Sequence, residues 1–90
     1  MKFVLNKCFG GASISDAAVE ILDRAHQYDF SHTDPDLIAL IEEEGTKFFS
    51  GYLAELVVVE VPDDATDWEL DEYDGIESIT YVLDGKLYHV

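Results

Sequence analysis

The alternation of apolar and polar positions places strands at both ends of this 90-residue chain and helices between them. Lys2 to Cys8 is short and β-prone. Phe3 and Leu5 fall on one face of an extended segment, Val4, Asn6 and Cys8 on the other. Gly10-Gly11 breaks that pattern, and Ser13 and Ser15 then offer helix caps ahead of Asp16. Ile14, Ala18, Ile21, Leu22 and Ala25 follow helical spacing, which predicts a first helix over Asp16 to Gln27. Thr33-Asp34-Pro35 puts a capping residue before a proline suited to the first helical turn. Leu37, Ile38 and Ile41 form the stripe of this second helix, and Gly45 ends it.

Leu53 to Val61 reads as the strongest strand. Val57, Val59 and Val61 line one face and Ala54, Leu56 and Val58 the other, so both faces should be covered. Trp68 and Leu70 alternate with Glu69 and Asp71, as in a short strand or an extended crossing. Ser78 to Leu83 and Lys86 to Val90 are β-prone runs flanking Asp84-Gly85, a strong hairpin signal that sets Tyr81 opposite Tyr88 and Val82 opposite Leu87. A helix through Ile76, Ile79 and Val82 is the competing reading. The resulting expectation is one α+β domain over residues 1–90. It would contain a small mixed β-sheet, β-α-α-β followed by a C-terminal β-hairpin, with two helices packed on it. The first and central strands would pair in parallel through a right-handed crossover.

Composition adds a strong electrostatic character. Twenty Asp and Glu against five Lys and Arg give a formal net charge of −15, while 48% hydrophobic residues leave enough for a core. Such a field repels nucleic acid and anionic membrane and favours basic partners in a salt-dependent way. A chain this short buries a modest share of its surface, and homodimer formation is one way to bury more. The single cysteine, Cys8, excludes an internal disulfide. The opening residues are too quickly polar for a signal peptide, and no apolar run approaches the ~20 residues of a membrane span. Cytoplasmic residence is the expectation.

Two stretches carry candidate chemistry. The first is Asp67, Trp68, Glu69, Asp71, Glu72, Tyr73 and Asp74, in a region with no basic residue between Lys47 and Lys86. Carboxylates spaced along an exposed edge can imitate the charge row of a nucleic-acid backbone. Trp68 and Tyr73 add aromatic anchors of the kind that dominate interfaces, and Glu42 to Glu44 could extend the patch. A solvated acidic face is the plain alternative. A calcium loop fails, because Leu70 and Tyr81 fall where ligands belong when Gly75 is set at the loop glycine.

The second stretch is Asn6, Lys7, Cys8, Gly10, Gly11, Ser13 and Ser15, where a glycine turn leads into a helix N-terminus that could hold a phosphate or nucleotide. It matches neither a complete dinucleotide fingerprint nor a P-loop, and turning the chain is the plain role of its glycines. Cys8 as a nucleophile needs a base near it, and nothing in the sequence brings His26, His32 or His89 there. There is no zinc spacing and no catalytic triad order, so no catalytic residue, metal or cofactor is assigned.

Asn6 to Gly11 as N-x-C-[FY]-G-G, Thr33 to Ile38, Val58 to Asp64 and Asp67 to Glu77 together resemble a group of small acidic bacteriophage and prophage proteins without an established activity. The resemblance covers most of the chain. It implies a phage accessory protein acting in the bacterial host cytoplasm. The chain departs at its end, where the group often looks charged and helical after the segment matching Asp74 to Glu77. With the charge, this points to a non-enzymatic binding protein for a basic surface of a host or defence protein, as an inhibitor or nucleic-acid mimic. A nucleotide-sequestering protein built on the Gly10-Gly11 loop is the alternative.

Overall fold

The computed structural model describes residues 1–8, 11–51 and 54–90, with the side chains of Thr46 and Lys47 left aside. Phe9, Gly10, Tyr52 and Leu53 lie outside the described residues, and with them half of the glycine pair and the expected start of the central strand. The elements run β1 (Lys2–Asn6), α1 (Asp16–Ile21), α2 (Pro35–Glu44), α3 (Thr46–Phe49), β2 (Leu56–Glu60), β3 (Thr66–Tyr73), β4 (Ile76–Leu83) and β5 (Lys86–His89). The fold is α+β.

The strands divide between two sheets, β1-β2 and β3-β4-β5, and every pairing is antiparallel. The expected parallel pairing of the first and central strands is therefore corrected. Residues between β1 and β2 leave the ribbon and return at the same end. Lys7 N–H donates to the Glu55 carbonyl at 2.8 Å, and Ile14 bridges Ser50 farther along the same excursion. A chain that comes back where it left must run antiparallel.

The period of two is obeyed along β1 and β2. Val4 and Leu56 join Ile14, Ala18, Leu37, Ile38, Ile41 and Phe49 in one core, with Val58 packed against it. Phe3, Leu5 and Val61 join Ile79 and Tyr81 in a second core, flanked by Val57, Val59 and Leu70. The ribbon thus lies between a helical layer and the three-stranded sheet, covered on both faces as its sequence requires. Full burial of one such apolar side chain contributes roughly 1.5–3 kcal/mol.

Both helix starts follow their caps. The Ser15 hydroxyl accepts from Ala18 N–H, and the Asp34 carboxylate accepts from the N–H groups of Asp36 and Leu37. The first helix stops at Ile21 rather than Gln27, because Asp23 takes a left-handed conformation (φ 55°) and turns the chain away. Arg24 then binds Asp34 at 2.7 Å, which ties this loop to the start of α2. Gly45 caps α2 as expected, after which the chain resumes one further helical turn, α3, that buries Phe49.

The hairpin register at Asp84-Gly85 is the expected one, with Tyr81 opposite Tyr88 and Val82 opposite Leu87. Residues 76–83 form β4 and not the competing helix. Asp74-Gly75 is a second turn of the same kind: both turns have positive φ at both central residues (51° and 88°, 52° and 77°), as a type I′ connection requires. Among the described residues no helix is long and apolar enough to cross a membrane.

Candidate functional site

The acidic stretch forms β3, an edge strand of the three-stranded sheet, together with the turn that follows it. Its side chains do not all point one way. Trp68 leans on Phe3, with ring centroids 5.1 Å apart, and Leu70 packs on the same core. By alternation Glu72 belongs to that inner side, whereas Glu69, Asp71 and Tyr73 stand on the outer face. Register slips by one residue between Thr66 and Glu69, where Asp67 and Trp68 together oppose Tyr81. This is a β-bulge with its first residue left-handed (Asp67 φ 51°), and it turns Asp67 out at the rim.

Asp67, Glu69, Asp71, Glu72 and Asp74 are all exposed. Glu72 is engaged locally, its Oε1 accepting from Gly75 N–H at 2.7 Å and bracing the turn. The paired and hydrogen-bonded cations among the described residues lie elsewhere. Lys2 pairs with Glu42 at 2.9 Å, Arg24 with Asp34, the N-terminal ammonium with Asp63 at 2.7 Å, and Lys7 Nζ donates to the Glu77 carbonyl. Among the described residues, no cation comes within ion-pairing distance of Asp67, Glu69, Asp71 or Asp74. Tyr73 is 75% exposed and Trp68 45%, so one aromatic is free for contact and the other is half committed to the core. The carboxylates that are paired respond accordingly. A hydrogen bond from the N-terminal ammonium, reinforced by its charge, holds the Asp63 carboxyl below the ordinary carboxylate range. Hydrogen bonding to Glu42, then the charge of that carboxylate, raises the Lys2 ammonium.

The second candidate stretch is largely taken up by the fold. Ser13 is buried against Gly51, and its carbonyl accepts from Gly51 N–H at 2.9 Å. Ser15 caps α1 and donates to the Phe48 carbonyl at 2.9 Å. Lys7 is tied to Glu77. Gly11 lies in an open stretch with φ 89°, Gly10 is outside the described residues, and Cys8 is a half-buried free thiol.

Sequence reasoning missed what Asn6 does. It is fully buried, and its amide nitrogen donates to the carbonyls of Cys8 (2.8 Å) and Gly75 (2.6 Å), while its Oδ1 accepts from Glu55 N–H (2.9 Å). Beside it, Glu77 receives Asn6 N–H at 2.7 Å through one carboxylate oxygen and meets His32 Nε2 at 2.6 Å through the other. The group joins β1, the approach to β2, the β3-β4 turn and the loop before α2. An asparagine at the end of an otherwise apolar strand is the sequence signal for it, and the partners are too distant in the chain to be read. No group of three or more His, Cys, Asp or Glu that could hold a metal ion occurs among the described residues. No protein-family model, curated protein or solved structure matches the chain.

Proposed function

We propose that this chain is a non-enzymatic binding protein that engages a basic protein surface through β3 and its flanking bulge and turn. The observation that carries this reading is the exposure of Asp67, Glu69, Asp71 and Asp74 with no cation beside them among the described residues. Tyr73 supplies exposed aromatic area at the turn end of that edge, and Trp68 a rigid flank at the bulge. Five basic residues in the whole chain cannot neutralise the field, so a basic partner is drawn in from beyond contact distance.

The partner recognises charge and an aromatic contact rather than a faithful copy of a duplex. Glu69 and Asp71 place one charge per ~6.8 Å along one strand face, about half the linear charge density of a nucleic-acid strand, which carries one per ~3.4 Å of helix axis. The resemblance to phage proteins and the carboxylates without a cation beside them among the described residues favour a basic surface on a bacterial protein that handles nucleic acid, met in the host cytoplasm.

The test uses a variant carrying Asp67→Asn, Glu69→Gln, Asp71→Asn and Asp74→Asn. It preserves shape, and asparagine tolerates the positive φ at positions 67 and 74. Wild type and variant are compared for capture of basic proteins from bacterial lysate at about 0.05 M and about 0.5 M salt. The expected outcome is retention by wild type at low salt, lost both at high salt and in the variant. Capture that ignores salt and the four substitutions overturns the reading. So does thermal stabilisation by nucleotides in place of any such capture.

A further inference from the structure

We propose that β5 is a self-association edge, on which a second copy of this chain pairs antiparallel to give a continuous six-stranded sheet. Ladder parity identifies the free backbone groups. Ile79 and Val90 exchange both N–H···O bonds at 2.9 Å, so Tyr81 with Tyr88 is again a bonded pair, while Val82 with Leu87 and Thr80 with His89 are not. The N–H and C=O of Leu87 and His89 therefore point away from β4. A two-fold axis beside Tyr88 sets Leu87 against His89 of the second copy, and His89 against its Leu87. All four free groups of each strand edge are then paired in four hydrogen bonds.

The side chains support the same register. Tyr88 already stacks on Tyr81, with centroids 5.2 Å apart and planes at 13°. Across the axis the two Tyr88 side chains form a close cross-strand pair, and four tyrosines line one face of the joined sheet. On the other face Leu87, 72% exposed beside Val82, is covered by His89 of the second copy.

Charge selects this edge over the other one. β3 bears Asp67, Glu69, Asp71 and Glu72 and a bulge, the devices that keep an edge from pairing with itself. β5 bears no carboxylate. Pairing β3 with β3 would bring two acidic rows to ~4.8 Å; pairing β5 with β5 holds them five strand spacings apart, ~24 Å. That is about three Debye lengths at ~0.15 M salt. The remaining repulsion between two copies of charge −15 makes association stronger as salt rises.

Sedimentation equilibrium over increasing protein concentration tests this at about 0.05 M and about 0.5 M salt. The wild type should move from the 10.1 kDa of one chain towards twice that mass, further at the higher salt. Leu87→Pro removes one N–H on the free edge and none from the β4-β5 ladder, and proline is tolerated on edge strands. It should stay at the mass of one chain with an unchanged far-UV spectrum. Leu87→Glu places a carboxylate on the edge and should do the same, so the result does not depend on how the proline variant folds. A wild type that remains at 10.1 kDa at every concentration and salt overturns the proposal, as do variants that associate as well as the wild type.

Discussion

Asn6 is the point at which the two sheets and the approach to β2 are joined, and replacing it by alanine is the sharpest test of how this fold is held. The substitution removes three side-chain hydrogen bonds at once, to the carbonyls of Cys8 and Gly75 and from the N–H of Glu55. Each is worth about 1 kcal/mol net, and a partner left buried without water costs about 1–3 kcal/mol. The Gly75 bond is buried and takes the upper part of that range, the other two are part-buried and take the lower, so the loss sums to about 3–5 kcal/mol. A domain of this size has ~5–15 kcal/mol in total, so Asn6→Ala should lose a large share of its stability. Urea unfolding followed by Trp68 fluorescence and by far-UV circular dichroism gives the number, with coincident transitions required. Native-state hydrogen exchange adds a local reading, since the Glu55 amide should lose protection more than amides within α2. A loss below about 1 kcal/mol at unchanged denaturant slope refutes the reasoning, because it means that water or neighbouring groups replace all three partners.

Gly51→Ala should destabilise by about 1–3 kcal/mol in the same urea assay, since a Cβ there overlaps the Ser13 hydroxyl and lies 3.1 Å from the Ile14 carbonyl oxygen; a neutral result would show that Ser13 can move aside freely. Trp68→Ala should cost about 1–2 kcal/mol through its lost contact with Phe3, whereas Tyr73→Ala should stay within about 0.5 kcal/mol and lower partner capture alone. Equal stability losses would contradict the placement of the two rings on opposite faces. The ion pair of Asp63 stabilises the fold above the unfolded carboxylate pKa of about 3.9 and is lost as pH falls through the lower folded value. Asp63→Asn should therefore flatten the stability profile below about pH 4 and leave its slope near neutrality unchanged, as followed by thermal unfolding across pH.

Local chemistry made much of this architecture legible. The alternation in β2 assigned Leu56 and Val58 to one side and Val57, Val59 and Val61 to the other, and the two cores use those same sides. Asp34-Pro35 fixed the start of α2, and Asp84-Gly85 fixed a hairpin to the residue. Asp74-Gly75 carries the same turn chemistry and makes the β3-β4 connection, which the expectation of a lone C-terminal hairpin does not include. α1 is shorter than its periodicity predicts, because the apolar spacing continues past Asp23, where a single left-handed residue turns the chain away. Strand direction is not legible in the pattern, because it depends on where the excursion closes, at Lys7 with Glu55 and Ile14 with Ser50. Asn6 shows the limit most clearly. Its partners Glu55 and Gly75 lie 49 and 69 residues away, so no pattern along the chain could link them. Within the acidic stretch, composition foresaw exposure but not the division of side chains between two faces, which requires the bulge at Asp67 and Trp68.

The two edges of one sheet have opposite electrostatic characters, and this gives each proposed association its own signature. Capture of a basic partner at β3 exchanges solvent ions for a direct attraction, so it weakens as salt rises. Self-pairing at β5 works against the repulsion of two like-charged molecules, so it strengthens as salt rises. The edges also differ in what proline does to them. Leu70, opposite Ile79, is a non-bonded pair of the β3-β4 ladder and directs its N–H to the open side, as Leu87 does on β5. Yet the β3 attraction comes from side-chain charge and survives loss of a backbone donor, while the β5 contact consists largely of backbone bonds and does not. A salt series on the wild type and on Leu87→Pro thus assigns each association to its edge: partner capture should keep its salt slope in the variant, and self-association should vanish at every salt concentration.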